Sequence, residues 1–312
     1  IIADNNLTKE ESIAIVDSCL EYNFKVFRAP LISDIEQNTS LSNQIEKIQI
    51  EDIKNSNDLQ SFLTEMPPKG GRAFFGVGVG AHPKNSNINA GYLGNGSLGL
   101  SRDYYVDEDD DTKAKREKYR AHIARMLQFI GDSEEEAKTN ADKILAFETR
   151  MAKPRMTKED RRDARKRYNP KSMDDLAKMT PSINWNAYFK GIGVKEMDTV
   201  IVTDPGYFKA LEGILKENNV DDWKNYLRWT LIDGNAGVLS TEIDKANWEF
   251  YSKELRGSKK QRDREERALG TLNNTIGEAL GKLYVDKKFP PEAKAKAEKM
   301  IKNIILVTEI IM

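Results

Sequence analysis

Absences narrow the reading of this 312-residue chain before any motif is considered. It has one cysteine, Cys19, so no intramolecular disulfide can brace it, and any extracytoplasmic location would have to be tolerated without covalent help. It has two histidines, His82 and His122, and with Cys19 they are spaced too widely for the close ligand pairs of a zinc site. Charge of one sign is missing too. The 49 basic residues face 50 acidic ones for a net charge of -1, which gives no global attraction to nucleic acid or to an anionic membrane. No apolar run approaches the ~18 residues needed to span a bilayer. No similarity recurs at a solenoid period. The start, Ile1-Ile2-Ala3-Asp4, lacks both an initiator Met and a basic signal region, so it is expected to be a processed, trimmed or incomplete end.

What is present is a helical pattern. With 39% hydrophobic residues the chain has enough apolar surface to fold, and 32% charged residues fit a heavily solvated helical protein. Thr8-Lys9-Glu10-Glu11 forms a capping box ahead of an apolar stripe at Ile13, Val16 and Leu20. Ile35, Leu41, Ile45 and Ile48 stand near helical spacing, and Asp58 is placed to cap a helix that Pro67-Pro68 stops. Tyr119, Ile123, Leu127 and Ile130 lie one turn apart before Gly131, a C-cap candidate. Further stripes run through Ala137, Ala141, Ile144, Leu145 and Met151, through Leu211, Ile214 and Leu215, and through Trp223, Tyr226, Leu227 and Leu231. Leu272, Ile276, Leu280 and Leu283 form another. After Pro290-Pro291, a last helix is expected to turn Ala297, Met300, Ile301, Ile304 and Ile305 inward. Ala73 to Gly80 is the best strand candidate, and Asn85 to Gly99 reads as a loop or hairpin edge. The fold class expected is mainly α, a multi-helix domain with a small β-hairpin or short strand element near 73–80. Residues 1–312 are taken as one helical domain with a weak internal boundary near 152–170.

Several constellations invite chemistry and fall short of it. Asp107, Asp109 and Asp111 match the first ligand positions of an EF-hand, but Thr112 stands where glycine is needed and Lys118 where a bidentate Glu is needed. These carboxylates instead precede a helix and offset its positive end. Gly76-Val77-Gly78-Val79-Gly80 has the wrong spacing for a dinucleotide loop and suits a strand face left bare. The basic cluster Arg161, Arg162, Arg165, Lys166 and Arg167 is diluted by Glu159, Asp160 and Asp163, with only Tyr168 as a stacking ring. It reads as a solvated helix, with Asp163 and Arg167 as an i, i+4 pair. No nucleophile elbow is present, and His122 sits beside apolar-face positions as a packed or surface residue.

The stretch from Asn85 through Leu98-Gly99-Leu100-Ser101-Arg102-Asp103-Tyr104-Tyr105 resembles the Gly-Leu-x-x-Arg-Asp-Tyr-Tyr segment of the neprilysin-like zinc metallopeptidases, a family that includes the endothelin-converting enzymes and oligopeptidase O. Further segments match in order. Tyr168-Asn169-Pro170 is followed by Ile183-Asn184-Trp185 and Tyr188-Phe189, then by Tyr207-Phe208 and Asp222 to Trp229, and finally by Leu280 to Val285 with Leu283-Tyr284 and Phe289. Together they cover about Ala73 to Ile305. The signature positions are Gly99, Leu100, Arg102, Asp103, Tyr104, Tyr105, Tyr168, Asn169, Trp185, Tyr188, Leu283 and Tyr284. Residues from Leu7 to Asn55 depart from the family pattern. Asn186-Ala187-Tyr188 imitates the family's substrate-backbone motif but stands in another segment, so Tyr188 is expected to pack.

The resemblance implies the non-catalytic, helical, N-terminal half of a zinc metalloendopeptidase, with bacterial origin and an extracytoplasmic location favoured. The family's zinc is held by a His-Glu-x-x-His helix, where two imidazoles one turn apart bind metal and the Glu acts as base. This chain has no such motif. It implies no catalytic or metal-binding residue here, zinc as cofactor of the intact enzyme only, and a short peptide substrate. It also implies a missing C-terminal catalytic domain as partner, and neither nucleic acid nor a membrane span. The alternative is a stand-alone helical module that binds protein or peptide without catalysis. A His-Glu-x-x-His motif in coding sequence beyond Met312 would discriminate between them.

Overall fold

A computed structural model of the chain describes residues 50–65, 74–194, 196–217 and 219–311. The capping box at Thr8, the stripes built on Ile13 and Ile35, Cys19 and the Pro67-Pro68 stop lie outside the described residues. The chain divides into two compact units, residues 39–259 and residues 1–38 together with 260–312.

In the first unit a 3₁₀ turn at Ile50–Asp52 leads to α1 (Ser56–Glu65). Asn55 caps α1 by accepting from the Asn57 and Asp58 amides, while Asp58 reaches back to the Lys54 amide. The cap is therefore Asn55, three residues before Asp58, because a short side chain at the helix edge meets the free amides directly. A hairpin follows, β1 (Phe75–His82) and β2 (Asn85–Asn95), with Phe75 opposite Asn95 and Ala81 opposite Asn89. The expected strand is present, two residues later than Ala73 to Gly80. The Asn- and Ser-rich stretch after it is the returning strand. Neighbouring backbone supplies the hydrogen bonds there and overrides weak strand propensity.

The helices α2 (Asp103–Val106), α3 (Asp110–Gln128) and α4 (Glu134–Ala152) come next. Asp109 caps α3 through the Thr112 amide, and Ser133 with Glu136 forms a full capping box on α4. Gly131, at φ +105°, makes the reversal between them in a conformation disfavoured for side-chain-bearing residues. The basic excursion folds as two short helices, α5 (Lys158–Arg162) and α6 (Ala164–Arg167). Asp163 caps α6 and pairs with Arg165, not Arg167, because the helix breaks at Asp163 and the i, i+4 geometry never forms.

β3 (Pro170–Ser172), α7 (Met173–Met179), α8 (Trp185–Gly191) and β4 (Thr199–Val202) follow. The four strands form one sheet in the order β1-β2-β4-β3, with β2 parallel to β4 and β3 antiparallel to it. The unit is completed by α9 (Pro205–Lys216), α10 (Val220–Asn235), α11 (Thr241–Trp248) and a π-helical turn at Glu249–Glu254.

Two apolar clusters fill this unit. One gathers Leu59, Phe74, Leu93, Trp185, Phe208 and Trp223, and the other gathers Tyr105, Tyr119, Ile123, Ile144, Trp229 and Phe250. Helix α4 serves both, sending Phe147 and Met151 to the first and Ala137, Ala141 and Ile144 to the second. The stripes expected on α3, α4, α9 and α10 are the buried faces, Leu145 being half-buried.

The second unit contributes α12 (Arg264–Lys288), with non-helical angles at Ile276, and α13 (Pro291–Ile311). Here one expectation fails. Met300, Ile301, Ile304 and Ile305 are 51 to 60% exposed, not inward, and Leu283 is 54% exposed. Periodicity makes one helix face apolar, but burial requires a covering surface, and nothing among the described residues supplies it.

Candidate functional site

The signature loop is organised by one carboxylate. Glu148 lies on the inward face of α4, fully buried, four residues after Ile144 and three before Met151. Its Oε1 accepts from the Gly99 amide at 3.1 Å, and its Oε2 accepts from the Tyr105 and Tyr119 hydroxyls at 2.9 and 2.7 Å. Tyr119 Oη in turn accepts from Trp229 Nε1, and Tyr105 Oη accepts from the Leu100 amide. Five groups from the loop, α2, α3 and α10 are thereby tied to a single side chain. Burial raises the Glu148 pKa, against the opposing pull of the phenols and the amide. Burial also pushes both tyrosines well above their ordinary value. Gly99 admits no side chain, since a Cβ there would stand 1.8 Å from Tyr119 Oη.

Arg102 is held by a carbonyl and a carboxylate. Its Nε donates to the Arg155 carbonyl at 2.9 Å, and its guanidinium faces Asp103, which also pairs with Lys158. Tyr105 is buried, whereas Tyr104 is half-buried and lends its carbonyl to Arg116. A second polar knot lies nearby. Asp204 accepts from Asn95 Nδ2, the Met156 amide and the Tyr207 amide, which joins the end of β2 to the start of α9.

The remaining signature residues stand elsewhere. Tyr168 meets His82 Nε2 at 3.4 Å and carries Lys84 over its ring, while Asn169 bridges the carbonyls of Lys166 and Val202. Trp185 and Tyr188 are buried against Phe75, and Trp185 Nε1 donates to Thr180. Leu283 and Tyr284 are exposed on α12 of the other unit. His122 is a packed residue, stacked on Phe250 at 4.6 Å, with its pKa lowered to about 3 by burial and by Arg125.

Sequence reasoning passed over Glu148 and Asp204, and over Tyr119 and Trp229 as hydrogen-bonding groups. The available signal was Glu148 itself, a carboxylate on an otherwise apolar helix stripe. Beside it lies a cavity of about 450 Å³ lined by Ser97, Gly99, Glu148, Trp229, Thr230 and Asp233. Asp233 accepts from Asn247 and Tyr251, and burial lifts its pKa to about 7. No serine, cysteine or histidine is aligned with a base in this cluster. Among the described residues no group of three His, Cys, Asp or Glu side chains could hold a metal ion, so this part of the chain does not fit zinc. No helix among them is long and apolar enough to cross a membrane.

Residues 10–309 match the N-terminal model of the family described as Peptidase family M13. Human endothelin-converting enzyme 1 is 29% identical over 238 residues, which span 74% of this chain and 31% of that protein. Neprilysin-3 of Drosophila melanogaster is 28% identical over 242 residues, with the same shares. The chain thus spans about a third of the length of these relatives. Among solved structures, the zinc metalloprotease Zmp1 of Mycobacterium tuberculosis in its open state superposes with a TM-score of 0.78 at 28% identity, over 86% of this chain and 42% of Zmp1. PepO from Lactobacillus rhamnosis shares the fold, with a TM-score of 0.77 at 18% identity, over 99% of this chain and 51% of its own. The family match runs over nearly the whole sequence and the fold agrees with it: the chain belongs to peptidase family M13.

Proposed function

We propose that this chain is the helical, substrate-enclosing wall of a zinc-dependent metalloendopeptidase that cleaves short peptides, with the zinc ligands and the general base supplied by a C-terminal catalytic domain. The observation that carries this reading is the likeness to Zmp1, whose name states a zinc metalloprotease and of which this fold accounts for 42%. The apolar faces of α12 and α13 support it. Tyr284, Met300, Ile301 and Ile304 are each more than half exposed, and solvent-facing patches of that kind mark surfaces that another part of a protein covers. In this reading the Glu148 cluster holds the Gly99–Tyr105 loop rigid so that the wall keeps its shape while substrate enters and leaves.

The test compares the chain alone with the chain joined to an M13 catalytic domain bearing His-Glu-x-x-His. The joined protein is expected to bind one zinc and to cleave a quenched fluorescent peptide in a chelator-sensitive way. The chain alone is expected to do neither. Stoichiometric zinc and cleavage by the chain alone would overturn the proposal, and a joined protein that folds, binds zinc and leaves the peptide intact would favour the stand-alone binding module.

A further inference from the structure

A groove of about 730 Å³ lies among α2, α3 and α4. It is lined by the apolar side chains Val106, Leu145 and Ala146 and by the cations Arg102, Arg116, Arg150 and Lys153. Two carboxylates also line it, but both are already engaged. Glu108 pairs with Arg116 and Lys113, and Asp142 pairs with Arg120. Arg150 is held by Glu217. Lys153 has no carboxylate within ion-pair distance among the described residues, and neither have Arg161, Arg162 and Arg167 on the adjoining excursion. Groove and excursion are linked through Asp103, which pairs with Arg102 in the groove lining and with Lys158 on α5, and whose pKa is lowered chiefly by the Lys158 hydrogen bond.

We propose that this groove and the basic excursion beside it dock an acidic peptide segment in which carboxylate side chains alternate with aliphatic ones. Charge complementarity selects the carboxylates, since Lys153 in the groove and Arg161, Arg162 and Arg167 on the excursion are without an ion-pair partner among the described residues, and the aliphatic lining takes the intervening side chains. The volume suits a few residues of extended peptide. A nucleic acid is disfavoured on two counts. Its bases would find Tyr168 already covered by Lys84 and met by His82, and Tyr104 already under Lys115. Its evenly charged backbone would also run against Glu108, Glu159 and Asp163, whereas spaced carboxylates can avoid them. The inference concerns chain 39–259 alone and does not depend on the catalytic reading above.

The test is fluorescence anisotropy of a labelled hexapeptide alternating Glu and Leu, titrated with the full chain at low salt. Binding is expected, and it should weaken as salt rises. Lys153→Glu, an exposed change, should weaken it about tenfold or more, as reversal of a charge at the contact does. The double variant Arg161→Glu with Arg162→Glu should do the same, while Lys178→Glu, on α7, leaves it unchanged. Ala146→Trp, which puts a large ring into the groove from an exposed lining position, should also reduce binding, with circular dichroism confirming the fold. Unchanged affinity in Lys153→Glu would overturn the proposal. So would equal binding of the matching Lys and Leu peptide, or tighter binding of a single-stranded oligonucleotide of equal length.

Discussion

The stripes of α4 and α13 look alike in sequence and end in opposite surroundings. On α4, Ala137, Ala141, Ile144 and Met151 are wholly or almost wholly buried, whereas on α13 Met300, Ile301, Ile304 and Ile305 face solvent. The difference lies in what else each helix carries. Helix α4 holds Glu148 among its apolar residues, and that carboxylate receives hydrogen bonds from three other segments. Buried polar groups with every partner in place specify one arrangement of their neighbours. Helix α13 has no such anchor among the described residues. An amphipathic face therefore states that a partner is needed, and polar contacts state which one.

The strongest way to break this contrast is Glu148→Ala. Two phenols and an amide would lose their acceptor at roughly 1 to 3 kcal/mol each before relaxation. Chemical denaturation should show a loss of about 3 to 5 kcal/mol. A loss below about 1 kcal/mol would mean that the knot does not hold the core. Gly99→Ala attacks the same knot from the loop. Its added methyl overlaps the Tyr119 hydroxyl, and the expected loss is about 2 to 3 kcal/mol.

Arg102→Ala should follow, at roughly 1 to 3 kcal/mol, because the Arg155 carbonyl and Asp103 lose their shared partner. In the chain joined to an M13 catalytic domain, turnover per folded molecule should change little. A variant that melts like the parent yet turns over a hundredfold more slowly would move Arg102 from scaffold to active site.

Asp233 sharpens the contrast through pH. Its pKa is raised from 3.8 to about 7, chiefly by burial, so the folded state holds a proton that the unfolded state releases. Its contribution to stability is full below the unfolded value and is lost as pH rises through that window to about 7. The raised Glu148 acts in the same direction. Asp233→Asn should flatten the fall in melting temperature across that window. An unaltered pH profile would show that Asp233 is not the group responsible.

The smallest effect belongs to the exposed helices. Tyr284→Ser or Ile304→Ser should change the stability of this chain by no more than about 0.5 kcal/mol, since neither side chain is buried. A larger loss would place the α12 and α13 faces among the covered surfaces after all.

Much of this was legible in residues alone. The strand near Phe75, the reversal at Gly131 and the inward faces of α3, α4, α9 and α10 follow from local rules of spacing and backbone freedom. The signature segment could be identified from Gly99 to Tyr105, but its purpose could not. Glu148 stands 43 positions from Tyr105 and 29 from Tyr119, and no local pattern joins them. The Asp163 to Arg167 pair failed for a related reason. Two charges at helical spacing interact only if one helix carries both, and here Asp163 begins a new one.

The sequence by itself determined a mainly helical chain with a single cysteine, without a His-Glu-x-x-His motif within its 312 residues, and with recognisable family segments, because composition and spacing act locally and survive in any fold. Tertiary structure alone decided which carboxylate gathers the signature loop, which cations are left without partners around the α2–α4 groove, and which apolar stripes meet a covering surface. Those outcomes depend on distances between residues far apart in the chain, where desolvation and hydrogen bonding act and periodicity does not.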